Sequence, residues 1–289
     1  MLPLVARPAT RPATQPPTLF RLLQDSQSRD YRPLAPAEAK QVEYLFRQAF
    51  NGAARPEQRA AWAALGFQVE RVTENQRVFT VIREQPNRRQ GRGLYIFAKA
   101  AVGAPILQAP QIPDDKHTGA IGIALMAEGR FTASAWSTAP RPRQNDDDEA
   151  VTGTDSANPP DSYLIAFSRA AAVAQPTSAI LQLHGFNTAK RKTEAGRRAS
   201  VIVSAGQREA TPAAEQTVRC LRELIGSVLL YPQDTKELGA LTNPVGEALR
   251  GLGRTGFVRV EMAPSLREKL YADPALRQRF GGCLAAVRP

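Results

Sequence analysis

The sequence predicts an α/β protein in three layers, with a mostly parallel or mixed central sheet and helices on both of its faces. From residue 104 onward, short apolar segments alternate with amphipathic segments at helical spacing. Short apolar strands separated by such helices are typical of a covered, mostly parallel sheet. The chain has 289 residues, of which 43% are hydrophobic, so it is long enough to bury a large core.

The first 103 residues are predicted to form a disordered arm and then a group of helices and strands that packs on the main α/β unit, residues 104–289. Residues 1–17 are rich in Pro and Thr and predict a disordered arm, in which Pro3 and Arg7 interrupt any signal-peptide core. We expect a periplasmic or secreted protein if an export signal precedes the arm, and a cytoplasmic one otherwise. Residues 18–103 predict helices in LAPAEAKQVEYLFRQAF and PEQRAAWAALGF and a hairpin of RVFTVIRE and GLYIFAKA.

The main unit, residues 104–289, is predicted to alternate strands and helices. The predicted strands are APILQAP, FTASAWST, SAILQLHGF, RASVIVSAG, SVLLYP and GFVRVEMAP. The predicted helices are TGAIGIALMAEG, DSYLIAFSRAAAVA, PAAEQTVRCLRELIG, NPVGEALRGLG and SLREKLYADPALRQRFGGCLAAV. A long polar loop over residues 140–162 is a candidate lid. We interpret its acidic run, residues 146–149, as solvated, because adjacent positions in a flexible segment do not converge on one cation.

Charge and cysteine content exclude few classes of protein. The net charge of +11 comes from scattered arginines without zinc-finger spacing, so we expect a basic surface, with nucleic acid as the weaker interpretation. The sequence contains no run of about 18 apolar residues, so it does not predict a membrane span. No feature of the sequence predicts an oligomeric state. Cys220 and Cys283 fall in predicted helices, where we expect two buried thiols rather than a disulfide, which leaves the redox compartment open.

The polar residues of the main unit concentrate at the predicted strand ends. In open α/β sheets, ligands bind outside the carboxyl ends of the strands. We therefore expect one rim of the sheet to gather the residues that follow six strands, namely Gln111, Asp114, Asp115 and His117; Thr138 and Arg141; His184; Gln207, Arg208 and Glu209; Gln233 and Asp234; and Glu261.

Four of these residues have the types and the spacing of a catalytic zinc site. Zinc in hydrolases takes three imidazole or carboxylate ligands and activates a water. Asp114, Asp115 and His117 near one strand end, with His184 from another, offer that pattern. Each histidine also has a structural interpretation, since His184 could hydrogen-bond a loop and His117 could begin a helix with Thr118 as a cap.

Glu261 and Arg141 are the candidate catalytic residues. A carboxylate at the end of the apolar strand GFVRVEM needs a partner, and Glu261 is well placed to act as the general base on a water. Arg141 would hold a substrate carboxylate or stabilise a developing oxyanion. The candidate substrate-binding residues are Arg208, Asn243 and Thr118.

Five motifs in a fixed order resemble a known family. They are APQIPDDKHTG, STAPR, LQLHGF, LTN and FVRVEMAPSLR, and they span roughly residues 104–270. This set resembles the zinc-dependent hydrolases related to N-formylglutamate amidohydrolase and poly-γ-glutamate hydrolase, which have the phosphorylase/hydrolase-like α/β fold of zinc carboxypeptidases. The resemblance implies that His184 and either Asp115 or Asp114 bind zinc, that Glu261 is the base, and that Arg141 contacts the substrate.

Gln111 departs from the pattern of that family, because it stands where the first ligand histidine is expected. A glutamine amide oxygen is a neutral, hard and poor zinc donor. Two outcomes are open: His117 replaces it as the nitrogen ligand, or the site has lost its metal.

Two hypotheses about function follow. The first is a zinc-dependent hydrolase of amide bonds that acts on an N-acyl amino acid, a peptide or a γ-glutamyl substrate, and the basic surface suits an anionic one. The second is a catalytically inactive member of the fold that binds an anionic ligand or a protein partner through the same rim.

Overall fold

The protein is described here by a computed structural model, which covers residues 18–52, 55–112, 114–139 and 162–289. The described residues form one nine-stranded mixed sheet with helices on both faces, which confirms the predicted fold class. The strands are β1 (Phe67–Glu74), β2 (Arg77–Glu84), β3 (Leu94–Ala98), β4 (Ile106–Ala109), β5 (Ala133–Trp136), β6 (Ile180–Gly185), β7 (Val201–Ser204), β8 (Val228–Leu230) and β9 (Phe257–Met262). Their order across the sheet is β1-β2-β3-β5-β4-β6-β9-β7-β8.

Helices cover the two sheet faces in separate groups. The helices are α1 (Leu19–Asp25), α2 (Pro36–Phe50), α3 (Pro56–Ala64), α4 (Thr118–Ala127), α5 (Tyr163–Ala174), α6 (Glu194–Arg198), α7 (Pro212–Ile225), α8 (Pro244–Gly251), α9 (Pro264–Ala272) and α10 (Pro274–Ala285), with a short 3-10 turn at Thr188–Lys190. One buried apolar cluster joins α1, α4, α7, α9 and α10 to the first face, and a second joins α2, α3, α5 and α8 to the other.

Strand direction divides the sheet into three parts. β5, β4, β6 and β9 run parallel and form its centre. β1, β2 and β3 add an antiparallel meander on one side. β7 and β8 are parallel to each other but antiparallel to β9. The expectation that six strand ends share one rim is therefore wrong, because the carboxyl ends of β7 and β8 lie at the opposite edge.

The N-terminal elaboration is continuous with the main sheet. The predicted hairpin of β2 and β3 is confirmed, and β3 pairs with β5 across the boundary at residue 103. β1 was not predicted from the sequence, and most of its side chains are half-exposed or exposed and show no clear alternation. β1 reaches β2 through Asn75 and Gln76, both in the left-handed region at φ 49° and 60°. A two-residue turn without glycine gives little sign of a hairpin in the sequence.

The C-terminal part departs from the predictions in two ways. The predicted last helix is two helices, because Pro274 cannot continue α9 and Asp273 caps α10 by accepting from the N–H groups of Ala275 and Leu276. Cys220 of α7 and Cys283 of α10 form a disulfide, with their Cα atoms 5.5 Å apart, so the prediction of two buried thiols is wrong. α7 and α10 pack side by side. The helical spacing of apolar residues in the sequence does not reveal that contact.

Within the described ranges, no helix combines the length and the apolar character that crossing a lipid bilayer requires.

Candidate functional site

A stripe of buried polar side chains crosses one face of the central strands. The register pairs Gln108 of β4 with Gln182 of β6, then Gln182 with Arg259 of β9, and His184 with Glu261. Since side chains alternate between the two faces of a strand, these five residues share the face covered by α5 and α8. Their apolar neighbours, such as the leucines of β4 and β6, face the other core. The polar stripe is therefore confined to one face of the central strands, whereas the other face is apolar.

His184 lies at the end of this stripe and is fully buried. Its Nδ1 is 3.2 Å from Oε1 of Gln111 and 3.6 Å from Oδ2 of Asp115. The same Asp115 oxygen accepts a hydrogen bond of 2.9 Å from the backbone N–H of Gly185. Gln111 and Asp115 are themselves buried. Three of the residues predicted from the sequence are thus brought together at the carboxyl ends of β4 and β6.

The turn after β4 delivers two of these side chains. The backbone N–H groups of Asp114 and Asp115 both donate to the carbonyl of Gln111, at 3.1 and 2.8 Å. Thr118, at the start of α4, donates its hydroxyl to the carbonyl of Asp115 at 2.7 Å. These bonds hold the turn closed and direct Gln111 and Asp115 toward His184. Thr118 is completely buried, so its role in the structure is to shape the turn.

Asp114 and His117 are not part of the cluster. Asp114 is exposed. His117 adopts a left-handed backbone at φ 71°, and its ring stacks on Tyr271 of α9 at 4.2 Å and 18°. Burial and the neighbouring Lys116 lower the pKa of His117. The hypothesis that His117 replaces Gln111 as a ligand fails, because the turn aims its ring at α9.

The four residues predicted to bind zinc, Asp114, Asp115, His117 and His184, are therefore not all brought together. Throughout the described part of the chain, no group of three or more His, Cys, Asp and Glu residues is arranged to hold a metal ion. The candidate metal ligands that do lie together are His184, Asp115 and Gln111, which offer one nitrogen and two oxygen atoms.

Glu261 lies beside His184 on the neighbouring parallel strand and is 2% exposed. Its Oε1 accepts a hydrogen bond of 2.7 Å from Nε of Arg259. Its Oε2 is buried and has no hydrogen-bond partner among the described residues. Arg259 was not among the predicted site residues, although a charged residue two positions before Glu261 on a strand must lie on the same face.

A chain of amide hydrogen bonds connects His184 to two helices. Gln182 Oε1 lies 3.4 Å from His184 Nε2 and accepts from Asn243 Nδ2 at 2.9 Å. Gln182 Nε2 donates to Gln108 Oε1, and Gln108 Nε2 donates to the hydroxyl of Ser168, both at 2.9 Å. Asn243 was predicted to bind substrate, whereas the structure shows it as the cap of α8. A glutamine between two apolar residues in each strand was the sign in the sequence of this network.

The remaining predicted site residues lie elsewhere. Arg208 follows β7, whose carboxyl end lies near Phe257 at the start of β9, so Arg208 is at the opposite edge of the sheet from His184. Arg141 and the acidic run 146–149 lie outside the described residues.

Comparison with known proteins gives no close relative. No protein-family model matches the chain, and no curated protein matches it. Two solved structures match at 11% identity. A candidate metallopeptidase from Shewanella amazonensis SB2B covers 79% of this chain and 93% of its own length, with a TM-score of 0.37. A candidate carboxypeptidase from Burkholderia mallei ATCC 23344 covers 80% of this chain and 66% of its own length, with a TM-score of 0.38. LapA aminopeptidase of Legionella pneumophila also matches at 11% identity; it covers 92% of this chain and 68% of its own length, with a TM-score of 0.37. Likeness at this level carries no information about what this chain does.

Proposed function

We propose that the protein is a hydrolase of amide bonds that uses a divalent cation held by His184, Asp115 and Gln111, with Glu261 as the general base. The observation that carries the proposal is the approach of two side-chain oxygens to one ring nitrogen. Gln111 Oε1 and Asp115 Oδ2 both approach Nδ1 of His184, at 3.2 and 3.6 Å. An oxygen acceptor this close to an imidazole nitrogen has either a proton or a metal ion between the two atoms.

The distances between these donors fit a shared ion. Two ligands bound about 2.1 Å from one ion in tetrahedral geometry lie about 3.4 Å apart. The two separations at His184 fall on either side of that value. The ligand types of these three residues suit zinc less well than their separations do, because the amide oxygen of Gln111 is neutral and favours harder cations than zinc. We therefore expect binding of zinc with lower affinity than a site with a histidine at position 111 would have.

The chain's own groups supply the proton transfer. A divalent cation in such a site contributes Lewis acidity toward a water and a carbonyl oxygen. Glu261 Oε2 takes the proton from the attacking water and delivers it to the nitrogen of the breaking amide bond. Arg259 holds the other oxygen, Oε1, at 2.7 Å and so fixes the direction of Oε2. Asp115 is oriented by the N–H of Gly185.

The proposed substrate is a small molecule or peptide with an anionic group, such as an N-acyl amino acid or a γ-glutamyl peptide. The net charge of +11 favours the approach of an anion. Arg141 remains the proposed contact for a substrate carboxylate. Arg208 is not proposed as a contact, because β7 carries it to the far edge of the sheet.

A second candidate function is the binding of an anionic ligand without catalysis. The neutral side chain of Gln111 favours it, because a neutral amide takes the place of a strong ligand beside His184. The two functions make opposite predictions for cation binding.

The deciding experiment is calorimetric titration of the cation-free protein with zinc. The parent should bind one ion per chain, His184→Ala should bind none, and Gln111→His should bind at least about tenfold more tightly. His117→Ala is the matched control, since its ring stacks on Tyr271 and its loss should leave affinity unchanged. Absence of binding in both the parent and Gln111→His would contradict the hydrolase and favour the second candidate.

A further inference from the structure

We infer that Arg267 is a positioning residue that holds Asp115, His184 and Glu261 in their mutual arrangement from the opposite face of the sheet. Arg267 lies in α9, and its side chain is 8% exposed. It is the last residue of the motif FVRVEMAPSLR, and the proposed function gives it no role. The inference deepens that function and rests on it for the roles of the other three residues, whereas the contacts of Arg267 do not depend on a cation.

The guanidinium of Arg267 contacts the turn after β4 and the ends of β6 and β9. Its Nη1 donates to the carbonyl of Lys116 at 2.6 Å, and its Nε donates to the carbonyl of Met262 at 3.2 Å. Its Cζ packs against the backbone of Gly185. A Cβ atom at that position would come within 2.6 Å of Cζ, so a glycine is required there for the contact.

The three contacted residues have one property in common. Each is the next residue in the chain after one of the three proposed functional residues. The pairs are Asp115 with Lys116, His184 with Gly185, and Glu261 with Met262. Consecutive Cα atoms are only about 3.8 Å apart, so displacement of a contacted residue also moves its functional neighbour. One side chain thus ties together the three segments that carry the proposed site.

Arg267 acts from the face of the sheet opposite to the site. Side chains alternate along a strand, so positions 185 and 262 face away from His184 and Glu261. Met262 belongs to the apolar cluster of the first face. Gly185 and Met262 are partners in register and form the last pair of β6 and β9. Arg267 therefore acts on the site through the backbone and not by contact with the proposed cation.

The contact with Lys116 bears most directly on the proposed cation site. Oδ2 of Asp115 accepts from the N–H of Gly185 at 2.9 Å and lies 3.6 Å from Nδ1 of His184. Arg267 contacts both backbone segments that this hydrogen bond joins, through the carbonyl of Lys116 and through Gly185. Loss of the guanidinium should let the turn move away from β6 and loosen the bond to Asp115.

A planar guanidinium suits this role because it binds two carbonyls at once. Nε and Nη1 donate in fixed directions from one rigid plane, whereas a lysine ammonium is a point charge on a flexible stem. Arg267→Lys therefore keeps the charge but loses the fixed geometry. Full restoration by lysine would assign the effect to charge alone.

Hydrogen exchange of the full-length, cation-free protein, followed by nuclear magnetic resonance, tests the arrangement without a metal. The reporter is the amide hydrogen of Gly185, which binds Asp115. The amides of Leu181 and Val258, a buried pair inside β6 and β9, report global unfolding. Arg267→Met and Arg267→Lys should both make the Gly185 amide exchange faster relative to those two amides.

Calorimetric titration with zinc connects the arrangement to the proposed site. Loss of a residue that orients a metal ligand typically lowers metal affinity about 10–100-fold. We expect a decrease of that size in both Arg267 variants, at a temperature where circular dichroism shows them to be folded. If Arg267→Met does not fold, Arg267→Lys alone decides the question.

Arg277→Met is the matched control. The side chain of Arg277 is 15% exposed, and its Nη1 donates to the carbonyls of Leu270 and Tyr271 at 2.9 and 3.3 Å. These bonds lie at the far end of α9 from Arg267. Loss of Arg277 should also lower stability, but it should leave zinc affinity and the relative exchange of the Gly185 amide unchanged.

The outcomes separate this inference from the proposed function. Selectively faster exchange at Gly185 in the Arg267 variants, but not in Arg277→Met, supports the inference, provided that zinc affinity falls wherever the parent binds zinc. Equal acceleration of all three amides, unchanged exchange at Gly185, undiminished zinc affinity or full restoration in Arg267→Lys overturns it. A parent that binds no zinc contradicts the proposed hydrolase, and exchange at Gly185 then decides the positioning role by itself.

Discussion

His184 and Glu261 are partners in register on the neighbouring parallel strands β6 and β9, and their side chains share one face of the sheet. Among the described residues, Glu261 also accepts a hydrogen bond from a cationic side chain, that of Arg259, two residues earlier on its own strand. The proposed cation ligand and the proposed base are thus set side by side by the register of two strands and do not depend on a flexible loop.

Replacement of Glu261 should separate catalysis from cation binding. Glu261→Gln keeps the shape of the side chain but cannot take a proton, so we expect amide hydrolysis to fall about 10²–10⁴-fold. Zinc affinity should stay unchanged in calorimetry, since Glu261 is not among the three proposed ligands. Glu247→Gln, at an exposed position of α8, is the control. Full activity in Glu261→Gln would remove Glu261 from the mechanism.

The Cys220–Cys283 disulfide should contribute strongly to stability. It closes a loop with a sequence separation of 63 residues, and the loss of chain entropy in the unfolded state corresponds to about 4 kcal/mol for a loop of that size. Cys220→Ser with Cys283→Ser should lower the free energy of unfolding by about that amount in denaturant titrations. Labelling of two free thiols in the native, unreduced protein would contradict the bond. We also propose that the protein works in an oxidising compartment, where such bonds persist.

The buried ion pair of Arg92 and Glu84 should be the most sensitive point of the N-terminal elaboration. Arg92 Nε lies 2.6 Å from Glu84 Oε1, and both side chains are almost completely buried. Glu84→Ala should cost about 3–5 kcal/mol of unfolding free energy, because it leaves a buried guanidinium without its partner. The double variant Glu84→Met with Arg92→Met should cost less than the single one. Equal losses in the two proteins would show that the charge is not the cause.

Glu237 should make stability depend on pH in the acidic range. Burial acts to raise its pKa, but hydrogen bonds from the Thr193 hydroxyl and from the backbone N–H groups of Lys192 and Thr193 outweigh burial, so the pKa lies below its ordinary value of 4.5. A lowered pKa in the folded state means that the stabilisation is complete above pH 4.5 and is lost as the pH falls through the folded-state pKa.

Glu237→Gln should remove this pH dependence, which hydrogen exchange of residues 191–193 at a series of pH values can measure. Glu194→Gln, at an exposed residue of α6, is the control. The same loss of protection on acidification in both Glu237→Gln and the parent would exclude Glu237 as the cause.

The sequence predicted those features of the fold that depend on local pattern. Alternation of apolar and amphipathic segments identified the six strands of the main unit and most of its helices, although α6 was not predicted and α9 and α10 were predicted as one helix. It did not identify β1, because most side chains of that strand are half-exposed or exposed and show no clear alternation. Strand direction was equally hidden, since nothing local to β7 states that it runs against β9.

The site was predicted in part for the same reason. Gln111, Asp115, His184 and Glu261 lie near one another because they end adjacent parallel strands or follow them directly. His117 was misplaced because a left-handed residue at φ 71° turns its ring toward α9. The hydrogen bonds of Gln182 were not predicted, because they depend on segments far apart in the sequence.

The link between α7 and α10 has a mechanical consequence. Tension applied to the residues beyond Cys283 passes through the covalent bond to Cys220 and does not stretch the backbone between them. That shielded segment contains β8, α8 and β9, and with them Glu261. A pull on the C-terminal end of the chain therefore loads α7 first and leaves the strand that carries Glu261 outside the path of the force.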